Sequence, residues 1–331
     1  MIKGKQSIAF KASPYIEESA SVVGKKEGEG PLGSRFDMVG LDDMFGEDTW
    51  EKAESSMQKE ACQLALGKAH LTAGAIRYLF GGDLLRQGVA TSLGVEQLQI
   101  PMFGLYGACS TSGEALALAS MCVAAGYGER MLVVTSSHFG SAEKEFRFPL
   151  SYANQRPLSA QWTVTGAGAI MVCREIEGVE VKSATFGKIT DFDVTDVNNM
   201  GAAMAPAAAR TVCEFFDDTG MSPEDFDLIL TGDLGKVGSE LLLTLMKEEN
   251  RDITAVHSDC GLNVFYLDTQ DVHAGGSGCG CSASVLCSRI LRELSEGKYK
   301  NLLFCATGAL HSPVTVFQKK PIPSIAHAIW L

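Results

Sequence analysis

The residues best suited to chemistry gather at strand ends and at a few histidines and arginines. The turn Gly107-Ala-Cys109-Ser-Thr-Ser112 stands where a short strand near Met102 to Leu105 breaks into Glu114 to Ala125, a segment apolar on nearly every face. A thiol at such a junction meets backbone N–H groups and the positive end of the helix dipole. Both lower a thiol's pKa and stabilise bound anions. The plainer role for Cys109 is a small residue that a tight turn requires. Asp83 ends the strand-like run Ile76 to Phe80 through Gly81-Gly82, and Asp233 ends Leu228 to Thr231 through Gly232. Each aspartate either faces a ligand or caps the next helix.

The remaining candidates form no rival constellation. His138, His257, His273 and His311 show no paired motif, and a lone histidine is more often a surface or hydrogen-bonded residue. His138 shares the polar stretch Ser136 to Gln161 with Arg147 and Arg156, and it is retained as a ligand-binding candidate. Arg86, Arg147 and Arg156 could each grip a carboxylate bidentately. Cys279-Gly-Cys281 is half a metal-binding spacing with no second Cys/His pair, so no metal set is expected. Gly275-Gly-Ser277-Gly-Cys279 lacks the final glycine of a serine nucleophile elbow.

Composition narrows the class of protein that could carry these residues. With 331 residues, 46% of them hydrophobic, the chain can bury one large core or two ordinary ones, which excludes disorder. The net charge of −12 comes without a basic block longer than Lys25-Lys26 or Lys319-Lys320, so no nucleic acid is expected as a partner. The longest apolar stretch, Ala115 to Ala125, is too short for a span of about 20 residues. No secretory h-region is visible at the N-terminus, and the ten cysteines sit mostly inside apolar runs. Together these point to a reduced compartment.

The elements that must position the candidates alternate strands with amphipathic segments. Asp48-Thr-Trp-Glu51 resembles a capping box ahead of a one-sided helix over 50–68, with Ala53, Met57, Ala61, Leu64 and Ala65 at helical spacing. Met131 to Thr135 is a continuous apolar run, expected for a strand covered on both faces. The polar stretch 136–161 reads as a long loop. Thr163 to Cys173 and Val179 to Ile189 read as a strand pair turning through Glu177-Gly178.

The second half of the chain echoes the first. Tyr78-Leu-Phe-Gly-Gly-Asp83-Leu is matched by Leu228-Ile-Leu-Thr-Gly-Asp233-Leu. Ala108-Cys-Ser-Thr-Ser112, a buried helix and the strand Met131 to Thr135 are matched by Gly280-Cys-Ser-Ala-Ser284, a helix and the strand Leu302 to Ala306. Four ordered matches predict a duplicated α/β unit, folded as a layered α/β/α/β/α sandwich. The expected halves are 1–178, with Asp83 and Cys109, and 179–331, with Asp233 and the Gly-rich loop 275–281.

A cysteine in a Gly-Ala-Cys-Ser turn, a buried helix and an internal duplication resemble the thiolase and ketoacyl synthase superfamily. The chain resembles more closely the stage V sporulation protein AD family of spore-forming bacteria. The residues that carry this are Gly24-Lys-Lys-Glu-Gly-Glu-Gly-Pro-Leu-Gly33, Gly82-Asp83-Leu-Leu, Gly107 to Ser112, Val164-Thr-Gly-Ala-Gly168, Met204 to Ala209, Asp259-Cys-Gly-Leu262, Ala274 to Cys279 and Ile325-Ala-His327.

The resemblance implies a thiolase-like fold, peripheral attachment to the spore inner membrane through integral proteins of the same assembly, and a homodimer. It also implies non-catalytic binding of dipicolinic acid, alone or with calcium, in a channel or transport assembly serving uptake during sporulation and release during germination. The ligand residues it points to are Asp83 and Cys109, with no cofactor. The alternative is a Cys109-dependent acyltransferase or condensing enzyme. In that superfamily His and Asn, or two His, assist the cysteine from second-half loops; here those loops present Asp233 and Ser277. An aspartate beside a thiolate repels it, which weakens the catalytic alternative.

Overall fold

The computed structural model describes residues 1–147, 149–174 and 178–331. Two mixed sheets are built by the same path. The first holds β1 (Tyr15–Val23), β2 (Tyr78–Gly82), β3 (Met102–Gly104), β4 (Arg130–Ser137) and β5 (Gly166–Cys173), in spatial order β1-β5-β4-β2-β3. The second holds β6 (Ser183–Phe186), β7 (Leu228–Thr231), β8 (His257–Asp259), β9 (Leu302–Ala309) and β10 (Ser324–Trp330), in order β6-β10-β9-β7-β8. In both sheets the first two pairings of that order are antiparallel and the last two parallel. The duplication read from four sequence matches is therefore a duplication of topology. The short strands Ile2–Lys3 and Ser7–Ala9 extend the second sheet beyond β6, while Val179–Glu180 pairs with β1 in the first.

Helices complete five layers. α1 (Trp50–Lys68) packs Met57, Ala61 and Ala65 on the outer face of the first sheet. α2 (Thr111–Ala124) and α6 (Cys279–Val285, continuing as helix to Ser295) lie between the sheets. α3 (Phe139–Phe146) follows β4. α4 (Met200–Thr219) and α5 (Gly235–Glu248) cover the outer face of the second sheet. The central layer is thin because its residues are small. A Cβ on Gly113 of α2 would stand 2.5 Å from the Ala306 Cβ of β9, so only glycine lets helix and strand approach this closely. Leu116, fully buried on the same helix, fills the space between the sheets. Its truncation to alanine costs about 2–5 kcal/mol.

Three local expectations change. Thr49, not Asp48, caps α1 by accepting from the Lys52 N–H, while Asp48 pairs with Lys52 along the helix. The stretch 136–161 is not one long loop: its first two residues end β4, His138 caps α3, and Leu150–Tyr152 forms a single turn. The segments 163–173 and 179–189 are not a hairpin. Every residue of β5 is buried, so it needs neighbours on both edges and takes β1 and β4, whereas β6 opens the second sheet against β10. Glu177, where the turn was expected, lies outside the described residues.

Candidate functional site around Cys109

Cys109 sits in the 3-10 turn Ala108–Ser110 that enters α2. Ala108 holds a left-handed φ of +52°, which costs a non-glycine residue about 1–2 kcal/mol and persists only where packing imposes it. The turn aims Cys109 toward the second half of the chain, where its Sγ lies 3.9 Å from Ser277 Oγ. Ser277 in turn donates to Asp233 Oδ2 at 3.0 Å. Asp233 ends its strand fully buried and also accepts from the Gly278 N–H at 2.8 Å and from Thr307 Oγ1 at 2.7 Å. Gly278 adopts φ +104°, a conformation that turns its N–H onto the carboxylate and that L side chains rarely take. Gln161 ties the two loops together, its Nε2 donating to the carbonyls of Asp233 and Gly276 at 2.7 Å each.

The electrostatics run opposite to the expected activation of the thiol. Burial, followed by the Asp233 carboxyl, pushes Cys109 well above the usual thiol range. A helix dipole supplies about 0.3–1 kcal/mol, less than one pKa unit. Desolvation can move a buried group by about 3–5 units, so burial wins. Asp233 is itself raised by burial, against the hydrogen bonds from Gly278, Thr307 and Ser277. The centre is therefore a protonated thiol beside a carboxyl and a hydroxyl, where base-assisted acyl transfer needs a thiolate beside a proton acceptor and an oxyanion donor.

A cleft opens from Cys109 to the surface. Its inner chamber of ≈80 Å³ joins an outer one of ≈210 Å³ at a neck where Phe146, Arg147, Val197, Asn198 and His311 line both. Arg147 is held at the neck by Glu143 at 3.2 Å and by the Asn198 side chain. His311 packs its ring 5.1 Å from Phe146, and burial, then Arg147, depresses its pKa to about 4, so it is neutral at pH 7.

The other sequence candidates are placed elsewhere. Asp83 is fully buried, and its carboxylate is occupied by its own loop: Oδ1 accepts from the Leu85 N–H, Oδ2 from the N–H and hydroxyl of Thr91. The capping role thus takes the side chain, and the loop reaches the cleft through Leu84. His138 is buried and neutral, its pKa lowered by desolvation. Its Nδ1 accepts from the Gly140 N–H and its Nε2 donates to the Asp43 carbonyl, at the wall of a neighbouring cavity. Arg86 pairs with Glu145, and Arg156 lines the same neighbouring cavity as His138. His257 binds Thr231 and His273 pairs with Asp271, neither at the cleft. Tyr106, Phe146, Gln161 and Asn198 were not anticipated, because no motif marks them and only tertiary folding gathers them.

The sequence profile of the family described as stage V sporulation protein AD matches residues 4–331. The chain is 43% identical over 329 residues to the stage V sporulation protein AD of Bacillus subtilis (strain 168), covering 99% of this chain and 97% of that protein. Among solved structures it resembles a single-substitution variant of Xanthomonas campestris OleA, with TM-score 0.60, 13% identity and coverage of 98% and 100% of the two chains. It also resembles 3-oxoacyl-[acyl-carrier-protein] synthase III from Aquifex aeolicus VF5, with TM-score 0.58, 14% identity and coverage of 96% and 99%. Identities this low speak for the fold alone, which is thiolase-like. With a profile match along nearly its whole length and a relative of this identity, the chain belongs to the stage V sporulation protein AD family.

Proposed function

We propose that the chain is a non-catalytic binding protein for dipicolinic acid, free or as its calcium complex, within a membrane channel or transport assembly of the spore. Uptake during sporulation and release during germination are the steps it would serve. The observation that carries the reading is the company Cys109 keeps. A thiol raised by burial first and by Asp233 second is poorly suited as a nucleophile, yet the cleft above it is open and has an arginine at its neck. Dipicolinate is a planar dianion, and guanidinium is the group that grips a carboxylate with two parallel hydrogen bonds. Arg147, which lines both chambers, supports this reading, and Arg86 and Arg156 line neither.

Attachment to the spore inner membrane is proposed as indirect, through integral partners. Among the described residues no helix is long and apolar enough to cross a membrane. A second reading, a Cys109-dependent condensing enzyme, is favoured by one observation, the placement of the cysteine at the start of the buried central helix.

Calorimetry of the pure protein against dipicolinate and acetyl-CoA in parallel separates the two. Saturable heat with dipicolinate and none with acetyl-CoA is expected. Silence toward dipicolinate, together with a stoichiometric thioester on Cys109, would replace the binding reading with the catalytic one.

A further inference from the structure

Trp162 and Thr163 are neighbours on a short strand, and their side chains serve different cavities. Thr163 lines the Cys109 cleft, whereas Trp162 lines a separate cavity of ≈430 Å³ that shares only Glu143 with the inner chamber. This is the alternation a strand imposes. Phe139 covers one face of the indole, its ring stacked at 3.6 Å and 6°. Two cations converge on the same indole: Lys26 Nζ at 4.2 Å and the Arg156 guanidinium carbon at 4.8 Å from the ring centroid.

Each contact with the ring is favourable alone, yet two like charges this close to one point repel each other. Arg156 is buried, its side chain 4% exposed. Its Nη2 binds Asp271, while Nη1 is sequestered without a partner. A buried guanidinium with an idle donor is costly unless something completes it. Among the described residues no carboxylate pairs with Lys26.

The acids of this cavity meet those charges only in part. Glu27 is buried and pushed up to about 8, chiefly by desolvation, so it is mainly protonated at pH 7. Glu143 pairs with Arg147 and also faces Arg156, Asp43 is exposed, and the exposed Asp271 holds the Nη2 edge of Arg156 at 2.7 Å. His138 is neutral and spends both ring nitrogens on main-chain groups. What remains unmet is Lys26 and the idle Nη1 of Arg156, beside Trp50, Phe139 and Trp162.

We propose that this cavity is a second binding site, for a compact planar carboxylate whose charge sits between Lys26 and Arg156 and whose ring lies along the aromatic wall. The idle Nη1 of Arg156 supplies a charged donor, lysine the point charge, and Trp50 with the edge of Trp162 an apolar wall. The site has its own cations and shares only Glu143 with the inner chamber of the Cys109 cleft and Ala153 with the outer one.

The test is a tryptophan-fluorescence titration of the full chain with isophthalate, alongside inorganic phosphate and uncharged benzamide. A saturable change with isophthalate is expected, at least tenfold weaker in Arg156→Gln and in Lys26→Gln and unchanged within twofold in Arg86→Gln, a residue outside both cavities. Half-exposed Lys26 carries the test if Arg156→Gln does not fold. No saturable response, insensitivity to both substitutions, an equal loss in Arg86→Gln, or phosphate or benzamide binding as tightly as isophthalate would each overturn the assignment.

Discussion

Ser277 Oγ donates to Asp233 Oδ2 at 3.0 Å while standing 3.9 Å from Cys109 Sγ, so a hydroxyl bridges the thiol to a buried carboxyl. The three residues come from three loops that meet only because the two halves are packed face to face. A carboxyl at this place adds to burial in keeping the thiol protonated. It also turns the helix-end position of Cys109 from an activating feature into one that can only favour a bound anion.

Thiol reactivity reads this arrangement directly. Asp233 raises the thiol, so Asp233→Asn should lower its pKa and increase the thiolate fraction at pH 8. Since one pKa unit is tenfold in thiolate, alkylation of Cys109 by iodoacetamide should speed up about three- to tenfold. Wild-type protein incubated with acyl-CoA should show no adduct on Cys109 by intact mass. An unchanged alkylation rate in Asp233→Asn would mean that burial alone controls the thiol.

Glu54 should leave a signature in the pH dependence of stability. It is buried behind Asp83, accepts from Ser136 at 2.8 Å and Ser141 at 2.7 Å, and is pushed up to about 8 by burial first and the Asp83 charge second. The ordinary value is 4.5, so between these limits the folded protein holds a proton that the unfolded chain releases. Its contribution to stability is complete below about pH 4.5 and is lost as pH rises toward about 8, on the order of 1 kcal/mol per pH unit. Glu54→Gln removes the titration, so urea denaturation at pH 5, 6 and 7 should show wild type losing stability relative to the variant at each step. Parallel curves would mean that Glu54 is ionised in the fold.

Much of this architecture is legible in the sequence, and the limits have physical causes. Strand ends at Asp83 and Asp233 and the turn at Cys109 are visible because Gly-Asp and Gly-Ala-Cys-Ser punctuate apolar runs. The repeat of those signals forecasts two sheets of identical path. What the sequence does not disclose is where a side chain spends its hydrogen bonds. Asp83 and Asp233 occupy equivalent strand ends, yet Asp83 turns onto Leu85 and Thr91 while Asp233 turns onto Ser277, Gly278 and Thr307. Arg147 and Asn198 meet across 51 positions of chain that carry no motif. The failure of the expected hairpin has the same origin: two adjacent strands were legible, and their assignment to different sheets was not.

Association should occur through β3. This strand ends its sheet, and Met102 and Phe103 are exposed on it at 39% and 49%. Phe103 is already ordered by stacking on Phe80 at 5.0 Å. A rigid apolar edge strand is a template for pairing with its own copy across a two-fold axis. Light scattering should give about twice the 35.3 kDa chain mass, and Phe103→Asp should return a folded monomer. A wild type that remains monomeric at all concentrations removes the inference.

Dipicolinate binding should separate a residue that touches the ligand from one that shapes its cleft. Arg147 lines the neck, so Arg147→Gln should weaken binding by about 10- to 100-fold, the scale of a lost charge-assisted pair of about 1.5–3 kcal/mol, with some loss of thermal stability because buried Glu143 loses its ion pair. Asp83 acts through Leu84 and its loop. Asp83→Ala strips acceptors from the Leu85 and Thr91 N–H groups and should lower stability by about 2–4 kcal/mol, with binding weakened as the loop loosens. Asp83→Asn keeps one acceptor oxygen and should recover part of both losses. Cys109→Ala should weaken binding by about 1–3 kcal/mol without unfolding the chain, because it changes the surface beside the start of α2 and empties little volume. Calcium chelation gives the remaining discrimination: it should leave the Asp83→Ala effect unchanged, since the carboxylate is held by its own loop. If chelation weakens wild type and spares Asp83→Ala, Asp83 turns toward the cation on binding. If Arg147→Gln, Asp83→Ala and Cys109→Ala all bind like wild type, the ligand occupies another part of the molecule.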